Sequence, residues 1–152
     1  MKLAEALILR ADRHKRLEQL KQRVVGCAKV QEGDEPPENP QELIAEIERV
    51  ADELLDLIRR INRTNTLTEV TPGKSLSDTL AERDVLMARR TIYADLAKAA
   101  SVVQARTSRS EVKFKSTVSV PDVQKRGDDL SRAYREADAV IQEMNWKTEL
   151  ME

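Results

Sequence analysis

Apolar residues recur along this chain with the spacing of amphipathic helices, in four separate segments. The segment after Asn39 is the clearest. Leu43, Ile47, Val50, Leu54, Leu57 and Ile61 alternate by four and three residues, the spacing of coiled-coil seams. Ile44, Ala51, Leu55 and Ile58 widen that stripe, so this helix is expected to face a core on more than one side. Asn39 can cap it, Pro40 suits its first turn, and Glu42 completes a box-like signature. A second clean stripe runs through Val123, Gly127, Leu130, Tyr134, Ala137, Ile141 and Met144, with Ser119, Pro121 and Asp122 marking its start. Two further helices are predicted over about Lys2–Val25 and about Leu76–Ala105, the latter with Ser75 as a plausible cap.

The connections differ in character. Gly26–Glu38 is acidic and contains Gly33, Pro36 and Pro37, and Asn62–Lys74 contains Pro72 and Gly73. Arg106–Ser119 carries Val112, Phe114, Ser116 and Val118 at alternate positions, which is a strand signal, and Cys27–Glu32 alternates more weakly. With neighbouring helices antiparallel by default, these two stretches meet at one pole. The predicted fold is therefore mostly α: an antiparallel four-helix bundle in a single domain over 1–152, with a small β-hairpin-like pairing of 27–32 and 110–119. The opposite pole holds the N-terminus, the Asn62–Lys74 connection and Trp146.

Charges interrupt two of the stripes. In the first helix Arg10 falls on the stripe in both possible phases, with Arg13 beside it; in the third, Arg83 and Glu82 occupy equivalent positions. Arg10 lies seven residues past Leu3 and Arg83 seven past Leu76, so each is ~10 Å into its helix at ~1.5 Å per residue. A polar layer of Arg10, Asp12, Arg13, Glu82 and Arg83 is expected, near Asn62, Arg63 and Asn65 of a connection dense in hydrogen-bonding groups. The plainer interpretation is an interhelical ion-pair network together with a helix C-cap and Asx-turn. The alternative is a binding site for a small anionic ligand, because arginine forks match carboxylate and phosphate. A wider asymmetry favours the network. The first helix is rich in Lys and Arg, whereas Glu32–Asp56 is dominated by acids with Arg49 its single base, so the two segments should neutralise each other.

Composition narrows the chemistry further. Charged residues make up 35% of the chain and aromatics 3%, a helix-forming mixture. The formal net charge of −1 offers no global field for nucleic acid or an anionic membrane, and no apolar run approaches a membrane span. Stacking on single strands would need more aromatics than Tyr93, Phe114, Tyr134 and Trp146, and the basic group Arg106, Arg109, Lys113 and Lys115 suits a solvated strand edge. Cys27 and His14 are the single cysteine and histidine, which disfavours zinc and a ferritin-like di-iron centre. If helical, the 13 residues between them span roughly 20 Å, too far for a nucleophile–base pair within one chain. No phosphate-binding glycine loop, dinucleotide turn or nucleophile elbow is present, and no cofactor is expected. A cytoplasmic location is expected from the absence of a signal-like leader and of paired cysteines.

Several short blocks together resemble the septicolysin-like family of small, largely uncharacterised bacterial helical proteins. They are Leu9-Arg10-Ala11-Asp12-Arg13, Ala28 through Pro36, Ile61-Asn62-Arg63-Thr64-Asn65, Ser110 through Phe114, and Asn145-Trp146. The resemblance spans almost the whole chain. It implies a helical subunit and a homo-oligomer, with a hexamer as one candidate assembly, and supplies no catalytic residues. The family name evokes a haemolysin, but this chain has one Trp and no long amphipathic hairpin to insert, so lysis is the disfavoured expectation. The favoured expectation is a non-catalytic homo-oligomeric scaffold or binding module, with the anionic-ligand protein or enzyme as its alternative.

Overall fold

The computed structural model describes residues 1–101 and 113–152. It contains four helices, α1 (Leu3–Gly26), α2 (Pro40–Leu67), α3 (Leu76–Ala100) and α4 (Val120–Lys147), and two short strands, β1 (Glu69–Thr71) and β2 (Lys74–Ser75). The fold is mostly α, with α1 packed on α2 and α3 on α4. By compactness the chain divides into two units, Met1–Ser75 with Met144–Glu152, and Leu76–Glu143.

Two helix starts follow the predicted capping residues. Asn39 accepts a hydrogen bond from the Gln41 amide at 3.0 Å, with Pro40 at the first helical position of α2. The Ser119 hydroxyl accepts from the Asp122 amide at 3.4 Å at the start of α4. At α1 the Lys2 amide donates to Glu5 Oε2 at 2.7 Å, the reaching-back half of a capping box.

In the first unit, Leu20, Cys27, Leu43 and Val50 form a buried cluster, flanked by Leu17, Val24 and Ile47. The inward face of α1 follows the phase that contains Ala6, Leu17, Leu20 and Val24, which leaves His14 exposed. At the other end Leu3, Ile61 and Leu150 are buried, and main-chain bonds fasten the C-terminal segment there: Leu3 N–H to Thr148 O at 2.9 Å and Leu150 N–H to Met1 O at 2.8 Å.

The small antiparallel sheet is not where the sequence pattern places it. No strand forms over 27–32 or 113–119, and 110–112 lie outside the described residues. Cys27 closes α1, and Gln31–Asp34 makes a tight turn, with Asp34 N–H to Gln31 O at 2.9 Å and Gly33 at φ +90°. That conformation takes the stretch away from any ladder. The sheet forms instead between β1 and β2, with Thr71 opposite Lys74 across Pro72-Gly73. Gly73 has φ +79°, as the third residue of a type II turn requires, and proline before it presets the second.

Two helix ends also differ. α2 runs on to Leu67 through Asn62–Thr66, which the sequence pattern assigns to a loop. α3 is described to Ala100, Ser101 is a bend, and the predicted extension over 102–105 lies outside the described residues.

Candidate functional site

The charged residues of the first unit form a ladder between α1 and α2. Arg13 Nε faces Glu53 Oε2 at 2.7 Å, both atoms shielded from solvent. Arg16 donates to Glu46 Oε1 through Nε at 3.0 Å and Nη2 at 2.5 Å. Arg23 holds both carboxylate oxygens of Glu38 in a bidentate fork. Ascending arginine numbers meet descending glutamate numbers, so the ladder also fixes the antiparallel register. Hydrogen bonding to Arg23 holds the Glu38 carboxyl below its ordinary pKa, and Arg16 does the same for Glu46. Bonding to Glu38 in turn raises the Arg23 guanidinium above its usual value. The basic face of α1 and the acidic start of α2 thus neutralise each other, as their compositions imply.

The other predicted site residues of this unit lie along α1 and α2. Arg10 is half-buried on α1, and Asp12 is exposed. Asn62 and Arg63 are exposed on α2, with Asn65 half-buried. Glu53, the partner of Arg13, precedes Asn62 by nine residues, or ~14 Å of helix. Asn62–Thr66 is not a loop but part of the last turns of α2. Thr64 and Thr66 donate their hydroxyls to the carbonyls of Arg60 and Asn62, at 2.8 and 2.9 Å, one turn back on the same helix. Thr64 is fully buried, and its oxygen also accepts the Met151 amide at 2.9 Å. Arg60 Nε donates to Met151 O at 3.2 Å, and Arg63 donates to the Glu152 carbonyl. These residues fasten the C-terminal segment onto α2. Sequence reasoning missed Thr64 in this role, and the only signal was a hydroxyl at a core-phase position of α2.

In the second unit, Arg83 donates to Asp138 at 3.0 Å and Asp84 at 3.3 Å, while Glu82 is exposed. Burial pulls against the charged Arg83, but the bonds to Asp138 and Asp84 outweigh it and hold its pKa above the usual value. Arg90 lies over the Tyr134 ring at 5.5 Å, and Arg126 over Tyr93 at 5.7 Å while donating to its hydroxyl at 3.1 Å. Gly127 faces Tyr93, and a Cβ there would lie 3.9 Å from Tyr93 Cβ, an ordinary contact. Arg83–Asp138, Arg90–Tyr134 and Tyr93–Arg126 define the antiparallel register of α3 and α4.

Both units also leave large apolar side chains in water. On α2, Ile44 and Leu55 are 43% and 45% exposed. On α3, Val85 and Ile92 are 58% and 63% exposed, with Leu96 also open. Phe114 is 88% exposed. Among the described residues, no group of three or more His, Cys, Asp or Glu could hold a metal ion, and no helix is long and apolar enough to cross a membrane.

Polar contacts joining helix to helix, beside apolar faces left exposed, define a class of mostly α-helical proteins built from paired helices. Within that class, the chain belongs to a family of unknown function (DUF6847), matched over residues 10–150. It is also similar, at 45% identity over 99% of both chains and a TM-score of 0.94, to a functionally unknown conserved protein from Corynebacterium diphtheriae solved as a crystal structure. No curated protein matches it.

Proposed function

We propose that this protein is a non-catalytic homo-oligomeric scaffold or binding module. The observation that carries the proposal is the exposed apolar side of α2. Ile44 and Leu55 stand in the secondary stripe of a helix whose primary stripe, Leu43, Val50, Leu54, Leu57 and Ile61, is already buried. A helix with an apolar surface on two sides gains by burying the second against another chain. Two of the three arginines expected to form an anion site support the same reading, because Arg13 and Arg83 already have carboxylate partners. The resemblance to the septicolysin-like family also implies a homo-oligomer. Size-exclusion chromatography with light scattering should give a discrete multiple of 17.3 kDa. A monomer throughout the micromolar range overturns the proposal.

A further inference from the structure

α3 has two opposite faces of different character. Its inner face meets α4 through Arg83, Arg90 and Tyr93. At 3.6 residues per turn, the opposite face carries Ala81, Val85, Ala88, Ile92, Leu96 and Ala99, all exposed to solvent. These follow the four-three alternation of a coiled-coil seam, except that Leu96 stands one position past the seam and Asp95 occupies the seam itself. Phe114 lines the same groove as Leu96 and Ala99, so the apolar surface continues beyond the end of the stripe.

We infer that this face binds a second copy of itself, α3 against α3 in antiparallel orientation; the inference rests on the oligomer reading above and names its surface. The charges flanking the stripe choose the occupant and its direction. Antiparallel pairing centred between Ala88 and Ile92 sets Ala81 opposite Ala99, Ala88 opposite Ile92, and Val85 opposite Asp95 and Leu96 of the second copy. It then places Asp84 of each copy beside Lys98 of the other. Each contact occurs twice by symmetry, as a two-fold interface requires. Parallel pairing in register would instead set the two Asp95 carboxylates against each other in the seam, which costs association.

The stripe is about 27 Å long at 1.5 Å per residue and one helix wide. That is the small end of specific interfaces, so α3 pairing alone should be concentration-dependent in the micromolar range.

Sedimentation of the full chain between about 1 and 200 µM tests the inference, with circular dichroism confirming that each variant is folded. Ile92→Glu should weaken association at least about tenfold. Asp84→Lys and Lys98→Asp should each weaken it, and the double variant should restore it to within a few-fold of the parent, because only an antiparallel pair brings residues 84 and 98 together. A monomeric parent overturns the oligomer reading and this inference together. A parent that assembles and is unmoved by Ile92→Glu leaves the oligomer standing and removes α3 as its surface. Failure of the double variant to restore association overturns the antiparallel register.

Discussion

Replacing Thr64 by valine removes one oxygen and changes little else. The side chain is fully buried and of similar shape, so no cavity opens. The Arg60 carbonyl loses the hydroxyl donor at 2.8 Å but keeps its helical amide partner, so it is not orphaned. The Met151 amide loses its acceptor at 2.9 Å. A buried donor left unsatisfied costs ~1–3 kcal/mol, and because Met151 is half-buried the lower part of that range, ~1–2 kcal/mol, applies. For a chain of this length that lowers the melting temperature by about 2–8 °C. Thr66→Val is the matched control: its hydroxyl makes the same one-turn-back bond at 2.9 Å, but in water, so its effect should stay within ~0.5 kcal/mol. Differential scanning calorimetry of both variants decides the matter, with amide exchange at Met151 as the local readout. Equal melting temperatures for the two, or an unchanged Met151 exchange rate in Thr64→Val, would mean that the Thr64 hydroxyl does not hold the Met151 amide.

The remaining expectations concern packing and charge. Leu20→Ala, at a fully buried position of the α1–α2 cluster, should cost ~2–5 kcal/mol in urea unfolding, while Ile44→Ala in dilute protein should cost under ~1 kcal/mol; similar costs would contradict the assigned faces. Arg16 holds the Glu46 carboxyl below the ordinary carboxylate range, so the pair stabilises the fold fully above that range and the contribution fades as pH falls through the lowered value. The stability gap between the parent and Glu46→Gln should therefore narrow from pH 7 to pH 3, and a pH-independent gap would argue against the pair. A double-mutant cycle on Arg83 and Asp138 should return a coupling of ~0.2–1 kcal/mol, reduced by salt, because both groups remain partly exposed.

Much of the helical frame was legible because its signals are local. Asn39-Pro40 and Ser119-Val120-Pro121 set helix starts through backbone rules that need no tertiary partner. The opposite charges of α1 and of Glu32–Asp56 were legible as blocks, and they pair as blocks. The individual partners were not, since Arg13 meets a residue 40 positions away and Arg83 one 55 positions away, and nothing local encodes such matches. The strand signal at 27–32 failed because alternation says nothing about a turn that consumes the stretch, and Gly33 makes that turn. The hairpin that does form was signalled by Pro72-Gly73 alone, between strands too short to show alternation. The stretch Asn62–Thr66 reads as a loop by composition, yet its threonines return their hydroxyls to their own helix and so satisfy their polarity without leaving it.

The exposed face of α3 escaped sequence reading for a different physical reason. Apolar stripes on opposite sides of one helix cancel in any measure of one-sidedness, so such a helix looks weakly patterned even when each face is regular. Arg83 and Arg90 then stand out as faults in the inner stripe, while the alanines at 81, 88 and 99 pass as helix-forming filler. Once Arg83 is bonded to Asp138 and Arg90 stacks on Tyr134, those faults become the means by which the inner face meets α4. What is left unmatched is the opposite face, where Val85, Ile92 and Leu96 have no cover of their own. The charges that interrupt the inner stripe of α3 thus bond to α4, and the side left exposed is apolar, which is the surface proposed above to take a second copy of the chain.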